Sequence, residues 1–303
     1  MNYWNQNLDQ QNDTQPARDS ERSPHTLDHE KSSLSGTAEA PIGVFDSGIG
    51  GLTVVKELTK LLPNERIIYF GDTARVPYGN KSKETIIHYS LQIAYFLLKK
   101  KIKMLVVACN SASSVSLPTL SRHFHIPIIG VIEPGARAAI GTSGSKRIGV
   151  IGTLGTVTSN SYKKALKRIE PSVKVVQQPC SLFVPLAEDG WQNTNIAQDI
   201  SNEYLKNFHG KGIDTLILGC THYPILKNTI QKSVGGKVKL IDSGIETARE
   251  VKKILEKKEL LNKSRPSPRS HSIFYVSDFP HKFREVSQRF LGKELNYVHK
   301  VKL

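Results

Sequence analysis

The stretch IGVFDSGIGGLTV (Ile42–Val54) decides how this 303-residue chain is read, because IGVIGTLGTVTSN (Ile148–Asn160) repeats its plan. Each is an apolar run, then a glycine-bearing loop, then a helical segment, the first helix stopping at Pro63 and the second at Pro171. Outward from these stretches the echo continues. Cys109 lies 67 residues after Ile42 and Cys220 lies 72 after Ile148; Glu133 and Asp242 then close strands 24 and 22 residues beyond their cysteines. An ordered duplication of this kind predicts two similar α/β domains, each bringing one cysteine to the cleft between them.

The segments between these landmarks alternate in type. RIIYF (Arg66–Phe70), MLVVA from Met104 and PIIGVI (Pro127–Ile132) read as strands. LTVVKELTKLL places Leu52, Val55, Leu58 and Leu62 on one helical face, and Glu84 to Lys101 reads as a helix with Ile87, Leu91, Ala94 and Leu98 inward. Strands alternating with helices imply parallel βαβ units, and strands that are apolar throughout imply sheets covered on both faces. The expected boundaries are residues 41–133 plus 244–303 for a first domain around Cys109 and 134–243 for a second around Cys220. Asn262 to Ser270 is a Pro/Ser/Arg loop, after which IFYVS and a helix around Phe283 to Leu291 return to one of the sheets. Residues 1–40 are rich in Gln, Asn, Asp, Ser and Thr, lack aliphatic periodicity, and read as a disordered extension.

With 38% hydrophobic residues the chain can bury a core, and no apolar run approaches the roughly 20 residues of a membrane helix. The N-terminus lacks the basic-then-apolar order of a signal peptide, so the expected location is cytoplasmic, with no membrane partner. Three cysteines are too few and too scattered for a disulfide framework; Cys180, ahead of SLFVPL, reads as a packing residue. The formal charge is +15, and residues 1–40 hold seven acids against three bases, which leaves +19 on residues 41–303. Such a field attracts anions. The lysines are nevertheless spread over many helices without interleaved aromatics or a groove-reading motif, so solvated helix faces describe them better than a nucleic-acid surface does.

In open α/β sheets, ligands collect beyond the carboxyl ends of strands. MLVVACNSAS presents Cys109, Asn110 and Ser111 at such a position, and LILGCTHYP (Leu216–Pro224) presents Cys220, Thr221 and His222 at another. Asp46 and Ser47 follow the first strand, beside Gly48, Gly50 and Gly51, which either let backbone amides approach an anion or simply make a turn. That loop lacks both the Walker pair and the full dinucleotide fingerprint. Tyr78 and Gly79 offer a further contact in a loop stiffened by Pro77. Donors from four loops suit a small carboxylic acid, which is an acceptor when ionised. A single cysteine or a single histidine in such a place is as readily a packed core residue, but two thiols at matched strand ends suggest a sulfur on either side of one ligand. Asp46 and His222 are the candidate groups for tuning them. No ligand-spaced C-x-x-C or H-x-x-x-H pattern argues for a metal.

Seven motifs, DSGIGGLTV, GDTARVPYG, ACNSAS, GVIEPG, LGT, PLAEDG and GCTHYP, in this order and spacing, resemble the glutamate racemase family of the aspartate/glutamate racemase superfamily over Pro41 to Leu303. The resemblance implies two flavodoxin-like parallel-sheet α/β domains with the active site in the interdomain cleft. It also implies interconversion of L- and D-glutamate for peptidoglycan synthesis, with no cofactor and no metal. Carried over, Cys109 and Cys220 are the acid/base thiols, Cys109 acting on the D-isomer and Cys220 on the L-isomer. Asp46 and His222 become auxiliary acid/base groups, and Glu188, in PLAEDG, falls at the family's catalytic carboxylate near His222. Substrate contacts fall on Asp46, Ser47, Tyr78, Gly79, Asn110, Ser111, Thr221 and His222. Ser111 replaces the family's usual threonine. A homodimer is compatible with the resemblance. Two other readings remain open at this point: a superfamily racemase or isomerase acting on aspartate or another small acid, and an anion- or nucleic-acid-binding protein using the basic surface.

Overall fold

A computed structural model describes residues 37–264, 272–295 and 297–303. The expectation of disorder over residues 1–40 therefore lies, for 1–36, outside the described residues, as does most of the expected Pro/Ser/Arg loop; residues 38–40 form a turn leading into the first strand. The chain is an α/β protein with two parallel sheets. Strands β1 (Ile42–Asp46), β2 (Ile67–Gly71), β3 (Met104–Val107) and β4 (Ile128–Gly130) belong to the first sheet, and β5 (Arg147–Gly152), β6 (Lys174–Pro179), β7 (Thr215–Gly219) and β8 (Lys239–Asp242) make the second. Strands β9 (Ile273–Val276) and β10 (His299–Lys300) return to the first sheet beside β2.

The strand orders are β10-β9-β2-β1-β3-β4 and β6-β5-β7-β8, with every pairing parallel. Counted within each half, the four shared strands run second-first-third-fourth in both sheets, which is the spatial form of the repeat seen in the sequence. Each sheet therefore reverses direction between its first and third strands, and a crevice opens there at the carboxyl ends. In the first sheet that point lies beyond Asp46 and Val107; in the second it lies beyond Gly152 and Gly219.

Helices α1 (Leu52–Leu61), α2 (Lys83–Leu98), α3 (Asn110–His123) and α4 (Ile132–Thr142) follow the first four strands. The second half carries α5 (Leu154–Thr158), α6 (Ser161–Ile169), α7 (Phe183–Glu188), α8 (Asn195–Leu205), α9 (Lys227–Val234) and α10 (Ser243–Lys257), and α11 (Pro280–Leu291) follows β9. Helix α1 buries the expected stripe, with Leu52, Val55 and Leu58 fully covered. At roughly 1.5–3 kcal/mol for each fully buried aliphatic side chain, that stripe holds the helix on its sheet. Helix α2 is turned from expectation: Ile86, Ser90, Ile93 and Leu97 are buried together with Ala94, while Ile87, Leu91 and Leu98 are only half-buried. Apolar residues cover so much of its circumference that sequence period alone fits two stripes, and packing against β1, β2 and α3 selects one.

The echo is also imperfect. Where the first half has one helix after its first strand, the second has two, separated at Asn160 with φ +53. The Ser and Thr side chains there bond backbone and each other, Thr158 Oγ1 donating to the Leu154 carbonyl and Ser159 Oγ pairing with Ser161 Oγ at 2.9 Å, which competes with helix continuation. The strand expected over Pro127–Ile132 ends at Gly130, and Glu133 already lies in the first turn of α4. Helices α4 and α10 pack on each other, α4 also on β7 and β8 of the second sheet and α10 on β4 of the first and β7 of the second, so they form the seam between the halves.

Candidate active site

Strand β3 ends at Val107 and helix α3 begins at Asn110, which makes Cys109 the N-cap; its sulfur accepts from the Ala112 amide at 3.5 Å. Ser47 Oγ lies 3.5 Å from the same sulfur. A helix N-terminus favours a thiolate. Burial nevertheless pushes the Cys109 thiol up to about 12, and the Asp46 carboxylate adds to this, while the bonds from Ser47 and Ala112 offset part of it.

The second half builds its thiol differently. After Gly219 the chain passes through Cys220, Thr221 and His222 into a 3-10 turn (Tyr223–Leu226) before α9 begins. His222 Nδ1 lies 3.7 Å from Cys220 Sγ, and its Nε2 donates to Glu188 Oε1 at 2.9 Å. Burial works against protonation of His222, but the sulfur and the Glu188 carboxylate together raise it to about 10. Burial would raise Glu188, yet its bond to His222 and the charges of His222 and Lys282 bring it below the ordinary carboxylate range. The ring thus lies between a carboxylate and a sulfur that both favour its protonated form, in which both nitrogens donate.

Loop contacts bring the two halves together. Asp46 is fully buried, takes the Gly48 amide at 2.9 Å and faces Thr221 Oγ1 at 3.4 Å. Burial raises its carboxyl above the usual range, opposed by the His222 charge and by the amides of Gly48 and Gly51. Thr53 Oγ1 donates to the Thr221 carbonyl at 2.9 Å. Gly50 is required by closeness rather than by dihedral freedom: a Cβ there would lie 2.3 Å from Thr221 Oγ1 and 2.5 Å from His222 Cε1. The expected glycine loop is thus where the first half rests on the Thr221–His222 turn of the second.

Cys109, Cys220, Ser47, Tyr78, Gly79, Asn110, Ser111, Thr221, His222 and Glu188 all line one cavity of ≈ 60 Å³. Asp46 does not; it lies behind Ser47 and Gly48 and reaches the site through Thr221. The Tyr78 hydroxyl donates to Asp72, which is also held by Arg75 at 2.7 Å and Ser277 Oγ at 2.8 Å, so the turn carrying Tyr78 and Gly79 is fixed from below. Asn110 Oδ1 accepts from Tyr162 at 2.8 Å, and its buried Nδ2 has no partner among the described residues. Thr153, also in the wall, bonds Ser111 Oγ at 2.9 Å and was not singled out from sequence. The signal was present, because aligning the two repeats places Thr153 on Ser47. A larger groove of ≈ 670 Å³ between α3 and α6 contains neither thiol. No helix among the described residues is long and apolar enough to cross a membrane.

Residues 42–251 match the Asp/Glu/hydantoin racemase family, and the chain belongs to that family: it is an amino-acid racemase, an isomerase. Among its relatives is a glutamate racemase from Geobacter metallireducens, 54% identical over 262 residues, covering 86% of this chain and 96% of that one. The crystal structure of glutamate racemase from Francisella tularensis in complex with D-glutamate superposes with a TM-score of 0.81 at 42% identity, covering 88% of this chain and 98% of that one. That of Escherichia coli glutamate racemase, with L-glutamate and the activator UDP-MurNAc-ala, gives 0.70 at 28%, covering 87% and 98%.

Proposed function

We propose that this racemase interconverts L- and D-glutamate by a two-thiol, cofactor-independent proton transfer, and that it supplies D-glutamate for peptidoglycan synthesis in the cytoplasm. One observation carries the mechanism: Cys109 and Cys220, from different sheets, line the same small cavity. The substrate follows from relatives that are glutamate racemases at high identity and coverage, and from solved relatives that hold D- and L-glutamate. On this reading residues 41–133 with 244–303 act as one domain and 134–243 as the other, with a thiol on each side of the substrate.

Inverting a carbon centre requires a proton to leave one face and another to arrive at the opposite face. Cys220, as thiolate beside the His222 imidazolium, takes the α-proton of L-glutamate; the C–H pair stays on the substrate as a carbanion delocalised into its carboxylate. Cys109, as thiol, delivers its own proton to the other face and becomes the thiolate. The reverse direction exchanges the roles. Burial favours Cys109 in its protonated form and the Glu188–His222 pair places a cation at Cys220, so the resting site is already asymmetric in the sense the L-isomer needs. Asn110 Nδ2, without a partner among the described residues, is placed to donate to a substrate carboxylate, joined by the hydroxyls of Thr221, Ser47 and Ser111. Asp46 acts through Thr221 and His222.

The test is incubation with each enantiomer in deuterated water without added cofactor, following optical rotation and α-deuteration, beside Cys109→Ala and Cys220→Ala. Wild type should exchange and racemise both isomers and each variant should lose racemisation. A wild type that exchanges neither isomer ends the proposal, and an alanine variant that racemises at the wild-type rate ends the two-thiol mechanism.

A further inference from the structure

Away from the cavity it lines, the His222 ring is bounded by neighbours from both halves. Cys220 Sγ and Glu188 Oε1 lie off its two nitrogens, and Gly50 backbone is so close that a Cβ would fall 2.5 Å from Nδ1. The remaining side is closed by Phe290, whose ring meets the imidazole edge-on at 5.3 Å between centroids and 82° between planes. Phe290 is fully buried. The residue before it, Arg289, donates through Nη1 to the Glu188 carbonyl and lies against Gly190, where a Cβ would be 3.1 Å from Nε. Both side chains belong to α11, which is anchored by buried Phe283, Val286 and Leu291 and packs on α1 of the first half. The helix therefore reaches from the first half to the backbone of Glu188 and the imidazole of His222, which attend the second half's thiol.

We propose that Phe290 and Arg289 are positioning residues for the Cys220 half-reaction, holding His222 and Glu188 in line with the Cys220 sulfur. This rests on the two-thiol reading given above. An imidazole that loses its edge contact can tilt off the line from Sγ to Oε1, and a Glu188 backbone released from Arg289 can carry its carboxylate away. Either change weakens the hold on the imidazolium proton. The charged and titratable groups facing His222 are Cys220, Glu188 and Asp46, with Lys282 of α11 acting on Glu188; none of them is altered by substituting Phe290 or Arg289.

The experiment compares full-length wild type with Phe290→Leu, Phe290→Tyr and Arg289→Met. Steady-state rates are measured for both glutamate enantiomers, unlabelled and α-deuterated, across pH. Enantiomers have equal free energy, so kcat/KM must remain equal in the two directions, and a one-sided effect is read in kcat, KM and the isotope effect. Phe290→Leu and Arg289→Met are expected to lower kcat from L-glutamate about tenfold. They should also raise the isotope effect for α-deuterated L-glutamate but not D-glutamate, and move the basic limb of the pH profile downward. Phe290→Tyr, which keeps the ring edge, should stay near wild type. Equal loss in both directions with isotope effects and pH profile unchanged would show a merely structural role and overturn the proposal, as would no loss at all. Should Phe290→Leu fail to fold, Arg289→Met decides by the same criteria. A wild type that does not exchange the α-proton would refute the two-thiol reading itself, and this proposal with it, whatever the variants do.

Discussion

The two thiols occupy equivalent places in two sheets of the same strand order, yet their surroundings share almost nothing. Cys109 caps a 14-residue helix and is attended by a backbone amide and a hydroxyl, with the Asp46 carboxylate nearby. Cys220 precedes a 3-10 turn and is attended by a side-chain cation that a second carboxylate supports. The difference shows how a duplicated fold can supply opposed chemistry. Topology places both sulfurs at one cavity, and local side chains then give one a buried setting beside a carboxylate and the other a histidine backed by a carboxylate. The two-thiol mechanism proposed above needs such an inequality, because in it one thiol holds a proton whenever the other lacks it.

The comparison breaks most completely if either sulfur proves dispensable. Cys109→Ala and Cys220→Ala should each lower racemisation by about 10²–10⁴-fold, the range of a single acid/base group. The double variant should be hardly slower than either single one, since both serve a single transfer. Additive losses would mean that the thiols act independently. Next in size is the contact between the halves: Gly50→Ala forces a Cβ onto Thr221 and His222 and should cost about 10- to 100-fold in kcat. Circular dichroism should still report a folded protein, and normal turnover would show that the halves do not depend on this contact.

A pH experiment sharpens the electrostatic side. The folded His222 is raised to about 10 from its ordinary value near 6.5, so the stability it contributes is present in full below about 6.5 and is lost as pH rises through 10. The urea midpoint of wild type should fall across that window more steeply than that of His222→Gln; equal slopes would remove the cation from the Cys220 side. Tyr78→Phe, measured by the same unfolding curves, should cost about 1 kcal/mol, because Asp72 keeps its bonds to Arg75 and Ser277. Smallest of all, Ser111→Thr adds a methyl beside Thr153 while keeping the hydroxyl bonded at 2.9 Å. A change within about threefold, under 1 kcal/mol, is expected in kcat/KM, and a larger one would mean that the serine shapes the pocket.

Much of this site was legible because strand-end residues announce themselves: an apolar run followed at once by Cys-Asn-Ser or Cys-Thr-His places those side chains at the crevice. Thr153 was legible in principle through its alignment with Ser47. Phe290 was not, since nothing in the helical period of α11 distinguishes a ring that packs into the core from one that also meets an imidazole 68 residues earlier in the chain. The buried face of α2 departs from its sequence expectation for a related reason: a helix apolar around most of its surface carries no period strong enough to choose its buried side.

By itself the sequence determined the alternation of strands and helices, the duplication, the two thiols and the loops that carry them, because each depends on residues close together along the chain. Tertiary structure decided that Asp46 lies behind the cavity rather than in its wall, that Gly50 is a contact between halves, and that Glu188 and α11 converge on His222. Those facts depend on distances between segments far apart in sequence. Burial and the proximity of charges are set only in the folded chain, and they are what make the surroundings of two similar cysteines unlike.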